Sequence, residues 1–285
     1  MWFAVFVPEE FIDIMERKMS TKTNNKQTGF TLVELAIVLV IIGLVVSSVL
    51  VGQDLIKAAQ LRATVRQLDE FQSAVGTFIG KYNGIPGDLN NGAKFGLTGT
   101  AGYQDGTTGD GDGSGVITQD NATTVLAFTG EMSTFWSHLT TSGKELISGS
   151  FKGDGCTAAS VACAAGVDFP AMKFGANGWG VFGASNVNYF LAGVANPGSA
   201  TALTVTSATF IPMDAYNIDS KIDDGVPTAG NVVSRGAHAT VIDTAATTAA
   251  STSTSVCNNT SATIAAYQYT ATTAQCTLRF QMATY

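Results

Sequence analysis

The sequence predicts an α+β fold, in which one long amino-terminal helix packs on an antiparallel sheet formed by the second half of the chain. Two observations predict it. Apolar residues in the first third recur at helical spacing over about 50 residues, whereas the apolar runs after Asp168 are short and separated by turn residues. The 285 residues suffice for one good-sized domain and an extension, and no internal repeat suggests a solenoid.

The composition is apolar and acidic. Hydrophobic residues make up 45% of the chain and charged residues only 13%, well below the roughly 25% that is usual in soluble domains. The net charge is −7, and four of the 15 basic residues lie within residues 17–26, so the chain beyond Val51 is distinctly acidic. Because an acidic surface repels phosphate groups, we expect no nucleic-acid partner.

The four cysteines indicate an oxidising compartment. Cys156, Cys163, Cys257 and Cys276 match no zinc-binding spacing, and the chain has only two histidines. Four cysteines allow three pairings. We favour Cys156 with Cys163 and Cys257 with Cys276, because each pair closes a short loop, but the other pairings stay open.

An apolar run long enough to cross a membrane lies near the amino terminus. Residues 30–51 read FTLVELAIVLVIIGLVVSSVLV, 22 residues with Glu34 as the single charge. As a helix they extend roughly 33 Å, against about 30 Å for a hydrocarbon core. The basic residues at 17–26 have no acid among them, and positive charge stays on the cytoplasmic side. We therefore expect the carboxyl-terminal part to face outward.

Two ordinary interpretations of this run, a cleaved secretory signal and a plain single-pass anchor, do not account for all of its residues. A cleaved secretory signal has a shorter apolar core, of about 7 to 15 residues, and a small-residue site after it, which VVSSVLVGQD does not offer. A plain single-pass anchor leaves Glu34 unexplained, since an ionisable group inside a membrane is costly and usually functional.

The residues around the start of the run carry a family resemblance. Residues 26–35, KQTGFTLVEL, resemble the prepilin peptidase site of type IV pilins and type II secretion pseudopilins, in which a basic leader ends in Gly and is followed by Phe and by Glu at the fifth mature position. The resemblance implies cleavage between Gly29 and Phe30, N-methylation of Phe30 and a role for Glu34 in assembly. The new amine of Phe30 and the Glu34 carboxylate of a neighbouring copy would neutralise each other in a filament core.

The resemblance also divides the chain. Residues 1–29 would be the leader, of which residues 1–18 are interpreted as an over-extended start, because Met19 gives a compact leader. Residues 30–52 would form the transmembrane and assembly helix, without the proline that many pilins carry near Val51.

Residues 53–82 would continue the helix as an amphipathic segment, and residues 83–285 would form the head. Arg66 and Glu70 have the spacing of an ion pair within a helix, and NGIPG at residues 83–87 ends the segment. The apolar stripe consists of Leu55, Ala58, Ala59, Leu61, Val65, Leu68, Phe71, Val75, Phe78, Ile79 and Tyr82.

A glycine- and aspartate-rich stretch, DGTTGDGDGSGV at residues 105–116, suggests a calcium site. Four ligands follow the first four odd positions of a calcium-binding loop, while Asn121 stands where a bidentate Glu is expected. Calcium and a plain acidic turn both remain open; major pseudopilins, which the amino end resembles, hold calcium in a head loop. The candidate ligands are Asp110, Asp112, Ser114 and the Val116 carbonyl, with Asp105 or Asp120 as substitutes for the missing Glu.

The rest of the head is predicted as one helix followed by a sheet. Asp120 or Asn121 would cap a helix over residues 121–141, on which His138 is a surface or packing residue. Short apolar runs predict strands at residues 169–174, 178–183, 187–194 and 203–211, and Pro212 starts a helix over residues 213–223. Residues 240–263 are expected to form an exposed loop around Cys257. A last hairpin would include Tyr267, Tyr269, Leu278, Phe280 and Met282 around Cys276.

The function implied by the resemblance is structural. The chain has no G-x-S-x-G, H-E-x-x-H or Walker motif, so we expect no enzyme. The resemblance implies a filament subunit that assembles with its own copies and other pilins, with prepilin peptidase and an inner-membrane assembly platform as partners. It implies an inner-membrane position with a periplasmic head, followed by an extracellular pilus or a periplasmic pseudopilus. The alternative is a minor pilin that acts as an adhesin or binds cargo at the filament tip.

Overall fold

The computed structural model describes residues 30–97, 111–118, 128, 130–140, 145–153, 164–184, 186–194, 209–236, 257–259 and 266–283. The chain divides into two compact units, Met1–Asp54 and Leu55–Tyr285. The leader, including Gly29, lies outside the described residues, as do Cys156 and Cys163 with their expected disulfide.

One uninterrupted helix, α1, spans Leu32–Tyr82. Its 51 residues confirm the prediction that the apolar run and the amphipathic segment form a single helix. In the first unit, every residue from 30 to 51 is exposed, as expected for side chains that need lipid or protein partners. Among the described residues, α1 is the one helix long and apolar enough to cross a membrane.

In the second unit, α1 buries one face against the head. Five residues of the predicted apolar stripe lie on this face together with Thr64 and Ala74, whereas Leu55 and Ala59 of the stripe are exposed. Lys57 binds Asp214 with 2.7 Å between Nζ and Oδ2. The predicted pair of Arg66 and Glu70 is wrong, since these two exposed residues form no ion pair with each other. The buried residues are Thr64, Leu68, Phe71, Ala74, Val75, Phe78 and Tyr82.

The head contains a four-stranded antiparallel sheet, which confirms the predicted fold class. Strands β1 (Gly178–Ala184) and β2 (Val187–Val194) form a hairpin, close to the predicted bounds of both strands. Strand β3 covers Val232–Gly236 and was not predicted. The last strand of the chain pairs with both β2 and β3, which gives the order β1, β2, last strand, β3.

The predicted final hairpin is wrong. Strand β4 (Asn258–Asn259) pairs with β5 (Ala266–Tyr267) in a separate two-stranded sheet, whereas β6 (Cys276–Gln281) is the last strand of the large sheet. Alternating apolar residues predict a strand but not its partner, which is set by packing elsewhere in the chain.

A disulfide joins Cys257 to Cys276, one of the two favoured pairs. It links the residue before β4 to the first residue of β6, and so connects the two sheets. Cys257 is fully buried, which contradicts the prediction of an exposed loop at this residue; most of residues 240–263 lie outside the described part.

Two further predicted strands are not formed as expected. Within residues 169–174, only Phe169 and Ala171 make isolated bridges, since Pro170 between them has no N–H to donate to a ladder. Of residues 203–211, Phe210 makes one bridge to Cys276, and residues 203–208 lie outside the described part.

Two short helices pack on the head. Helix α2 covers Glu131–Thr140, so it begins later than predicted, after Gly130 with its positive φ of 65°. Helix α3 covers Pro212–Ile222 with Pro212 in its first turn, which confirms the predicted helix within one residue at each end.

An aromatic cluster forms the centre of the core. Phe71 of α1 lies 4.9 Å from Trp136 of α2, 5.6 Å from Trp179 of β1 and 6.0 Å from Phe190 of β2, measured between ring centroids. The first two contacts are edge-to-face, the arrangement that aromatic rings favour. This cluster therefore joins the helix, α2 and the sheet.

Candidate functional site

The amino-terminal end of α1 is organised by a reciprocal pair of hydrogen bonds. The Thr31 N–H donates to Glu34 Oε2 at 2.8 Å, and the Thr31 hydroxyl donates to the same oxygen at 2.9 Å. In return, the Glu34 N–H donates to the Thr31 hydroxyl at 3.3 Å. This is a capping box, in which a Thr before the helix and a Glu three residues later satisfy each other's backbone groups.

The capping box changes the interpretation of Glu34. From the sequence, this carboxylate was expected to find its partner only in a neighbouring copy. The structure gives it a partner in its own chain, and the T-x-x-E spacing was the signal that could have revealed it. Oε1 of Glu34 makes no hydrogen bond within the described residues, so one oxygen stays available. Phe30, at the start of the described residues, is 82% exposed.

A cluster of three carboxylates forms a second candidate site, in the head. Asp88, Asp112 and Glu131 each place one carboxylate oxygen within 4.8 Å of the others. Asp88 lies in the turn that ends α1, Asp112 belongs to the glycine-rich loop, and Glu131 is the first residue of α2. Asp88 and Glu131 are each only 3% exposed, whereas Asp112 is exposed.

The glycine-rich loop is wrapped around the two buried carboxylates. Asp88 accepts hydrogen bonds from the N–H groups of Ser114 at 3.0 Å and Gly115 at 2.7 Å. Glu131 accepts from the Asp112 N–H at 2.9 Å, and from the Thr118 N–H and hydroxyl at 2.7 and 2.9 Å. These bonds fix the loop, so both acids have a structural role whether or not they bind an ion.

Three of the predicted calcium ligands lie in this loop. Asp112 accepts from the Ser114 N–H at 2.8 Å, and the Ser114 hydroxyl donates to the Val116 carbonyl at 3.2 Å. The remaining candidates, Asp105, Asp110 and Asp120, lie outside the described residues.

Sequence reasoning missed Asp88 and Glu131. Asp88 lies in the turn that ends α1, and Glu131 lies at the start of a helix, where acidic residues are common. No local pattern connects them with residues 111–118, and only the fold brings them together.

Burial and mutual repulsion perturb these acids. Burial raises the pKa of Asp88 to about 8, and the nearby charge of Glu131 adds to the effect. Burial also raises the pKa of Glu131. Burial by itself would raise the pKa of Asp112, but hydrogen bonds from Ser114 outweigh burial and lower this pKa. Carboxylates this close stay ionised together only if a cation neutralises them; otherwise they retain a proton.

The donor set fits calcium. All three side chains offer oxygen, the ligand that hard cations prefer, and Oε1 of Glu131 has a lone pair beyond the one that accepts the Asp112 N–H. The loop also depends on glycine, since a Cβ on Gly111 would lie 2.4 Å from the Asp88 Cα.

His138 is a packing residue. It is fully buried, its Nδ1 accepts a hydrogen bond from the Gly87 N–H at 2.9 Å, and its ring stacks on Phe78 with 6.0 Å between centroids. It therefore holds two segments against α2, namely the turn that contains Asp88 and the carboxyl-terminal part of α1.

A second group of acids organises the turn after α3. Asp219 is fully buried and accepts a hydrogen bond from the Tyr267 hydroxyl at 2.7 Å. Its pKa is raised to about 6, first by burial and then by the charges of Asp224 and Asp223, against the opposing hydrogen bonds. Asp224 accepts from the Val226 N–H at 2.7 Å, and Asp223 accepts from backbone N–H groups of β3 and the residue before it. These bonds account for all three acids as turn-forming residues.

Comparison with known families agrees with the geometry of the amino-terminal segment. Residues 24–50 match the prokaryotic N-terminal methylation motif, the signature of type IV pilins and pseudopilins. This signature and the long apolar helix fit anchoring in a membrane. No curated protein and no solved structure matches the chain.

Proposed function

We propose that the chain is a structural subunit of a type IV pilus or pseudopilus-like filament, without catalytic activity of its own. The observation that carries the proposal is the methylation motif at the start of a 51-residue helix whose apolar run is exposed throughout. Prepilin peptidase would cut between Gly29 and Phe30, and an inner-membrane platform would assemble the processed chain with its own copies and other pilins. The head would face the periplasm before assembly.

In this mechanism the helices move from lipid into a helical bundle. The transfer gains little hydrophobic free energy, because lipid tails are as apolar as the helix surface, so packing and polar contacts must set the direction of assembly. The new Phe30 amine of one copy would bind Glu34 of its neighbour, with Oε1 accepting while Oε2 keeps the capping box. A head-to-tail contact of this kind does not close, and therefore produces a filament.

Replacing Glu34 with alanine tests this proposal. We expect Glu34→Ala to be processed and to accumulate in the membrane, but to be lost from the sheared filament fraction. Ser48→Ala is the matched control, because Ser48 is a polar residue of the same run whose hydroxyl bonds only to carbonyls of its own helix. Filaments of Glu34→Ala at the parent level would contradict the proposal.

We further propose that the head binds calcium at Asp88, Asp112 and Glu131. Two independent features support it, the calcium-loop spacing at residues 110–116 and the convergence of three carboxylates around that loop. Calcium at 100 times its Kd stabilises the folded state by about 2.7 kcal/mol, or about 5 to 11 °C in Tm for a domain of this size. Differential scanning calorimetry with calcium, magnesium or chelator measures it, and equal Tm values in calcium and chelator would remove the proposal.

A minor, tip-located subunit is the alternative role. The head of residues 83–285 is large enough to carry an adhesive or cargo-binding surface. Abundance distinguishes the two roles, because a main subunit dominates the purified filament by mass and a minor subunit is a trace component.

A further inference from the structure

Between residues 62 and 70, the exposed face of α1 carries four charges in a fixed order. Arg62 and Arg66 come first, and Asp69 and Glu70 follow about one turn later. All four side chains are exposed, and none has a hydrogen bond or ion pair with another described residue. Leu68 and Phe71, the buried residues next to them in sequence, point into the head instead.

These charges have no partner among the described residues, although helical spacing offers one. Arg66 and Glu70 are four residues apart, which allows an ion pair on one helix, and the structure leaves both extended into solvent. An exposed pair of this kind gains little free energy in water, because ordering two long side chains offsets the attraction. Their pairing therefore depends on a partner that reduces their exposure.

The spacing of Arg66 and Glu70 repeats that of the proposed assembly pair. Phe30 and Glu34 are four residues apart, with the positive group first, and Arg66 and Glu70 are four residues apart in the same order. Four residues of helix correspond to about 6 Å along the axis.

We propose that Arg66 of one copy binds Glu70 of the neighbouring copy in the filament, as a second ion pair with the same polarity as the amine and Glu34. This inference rests on the proposed function. A neighbouring copy that is displaced by four residues along a parallel helix places its Glu70 at the level of Arg66. The same offset moves Arg62 one turn closer to Asp69 of the neighbour.

These charges would select one axial register between the α1 helices of neighbouring copies. Two copies at equal height would oppose arginine to arginine and glutamate to glutamate, which is repulsive. The four-residue offset replaces this repulsion with attraction at Arg66 and Glu70. Because the contact recurs between all successive copies, a small gain at each one accumulates along the filament, and it weakens as salt screens the charges.

Charge reversal in two separate chains tests the contact between copies. Arg66→Glu alone and Glu70→Arg alone should each lower filament yield by about fivefold or more, because each opposes like charges at every contact. Expressed together, the two variants should assemble into mixed filaments near the parent yield. In alternating copies, the glutamate introduced at position 66 meets the arginine introduced at position 70, and the native Arg66 and Glu70 meet at the next contact. Yields that stay as low in the mixture as in the single variants would overturn the proposal.

Cross-linking gives a second test that does not depend on filament yield. One chain carries Arg66→Cys and another carries Glu70→Cys, and the co-assembled filaments are oxidised. A disulfide requires Cα atoms within about 7 Å, so we expect a covalent dimer of the two chains. The matched control pairs Arg66→Cys with Thr77→Cys, an exposed residue farther along α1. Absence of the dimer, or equal amounts in both pairs, would overturn the proposal.

Glu34→Ala separates failure of this inference from failure of the proposed function. If Glu34→Ala leaves filaments intact, the assembly mechanism itself is wrong. Suppose instead that Glu34→Ala abolishes filaments, but co-expression of Arg66→Glu and Glu70→Arg restores no yield and no disulfide-linked dimer forms. Then only the proposed contact between Arg66 and Glu70 is wrong. Both positions are exposed, so the Tm of each variant should equal that of the parent.

Discussion

Removing the Phe71 ring should separate α1 from the head more effectively than any other single truncation on the helix. Phe71 is 3% exposed and contacts Trp136, Trp179 and Phe190 at once. These three rings belong to α2 and to two strands, so Phe71→Ala leaves a cavity where the helix, the second helix and the sheet meet.

The burial of Phe71 sets the expected loss in the free energy of unfolding. A buried Phe→Ala substitution typically costs about 3 to 5 kcal/mol, since the lost transfer free energy adds to the cost of the cavity. The rigid aromatic surroundings of Phe71 place the expected value in the upper part of this range. For a domain of about 200 residues, this corresponds to a decrease in Tm of about 6 to 20 °C.

Urea denaturation of the full chain in detergent provides the assay. Trp136 and Trp179 lie against Phe71, so their fluorescence reports the loss of packing at this position. Ser73→Ala is the control, because Ser73 is exposed on the same helix and should change the free energy of unfolding by less than about 0.5 kcal/mol.

A small effect would refute the packing described here. If Phe71→Ala costs no more than Ser73→Ala, then α1 does not bury its aromatic face in the head in solution. If Phe71→Ala is too unstable to isolate, Phe71→Leu retains part of the volume and should give an intermediate loss.

Three further predictions concern the head. Burial raises the pKa of Asp219 from 3.8 to about 6. Its contribution to stability is therefore complete below about pH 4 and is lost as pH rises through 6, a loss of at most about 3 kcal/mol. Asp219→Asn should abolish this loss, as measured by urea denaturation at pH 4 and pH 7. Gln67→Ala should cost about 1 to 3 kcal/mol, because the buried Trp179 Nε1–H loses its acceptor at 2.9 Å. Replacing Cys257 and Cys276 with alanine should cost about 2 to 5 kcal/mol by thermal melting.

Elements with strong local signals could be predicted from the sequence. The continuous helix α1 follows from a sustained apolar spacing without Pro or turn residues until residue 83. The hairpin of β1 and β2 and the helix that begins at Pro212 likewise have turn or start residues at their ends.

Contacts between distant segments could not be predicted in this way. The pairing of β6 with β2 and β3 depends on which strands the core brings together, and alternation at residues 276–281 carries no information about this. For the same reason the sequence identified Asp112 in the candidate calcium site but not Asp88 or Glu131.

The amino-terminal site was predicted in part. The motif that contains Phe30 and Glu34 could be recognised from residue types and spacing alone, because it is a short linear segment. The capping box with Thr31 was not predicted, although T-x-x-E is a local signal for it.

Mass spectrometry of the amino terminus of the membrane-bound or filament-bound chain tests the proposed processing. We expect a mature chain that begins at Phe30 and carries a methyl group on its amine. A chain in which Gly29 is still bonded to Phe30 would contradict it, because the charge that Glu34 is proposed to bind would then not exist.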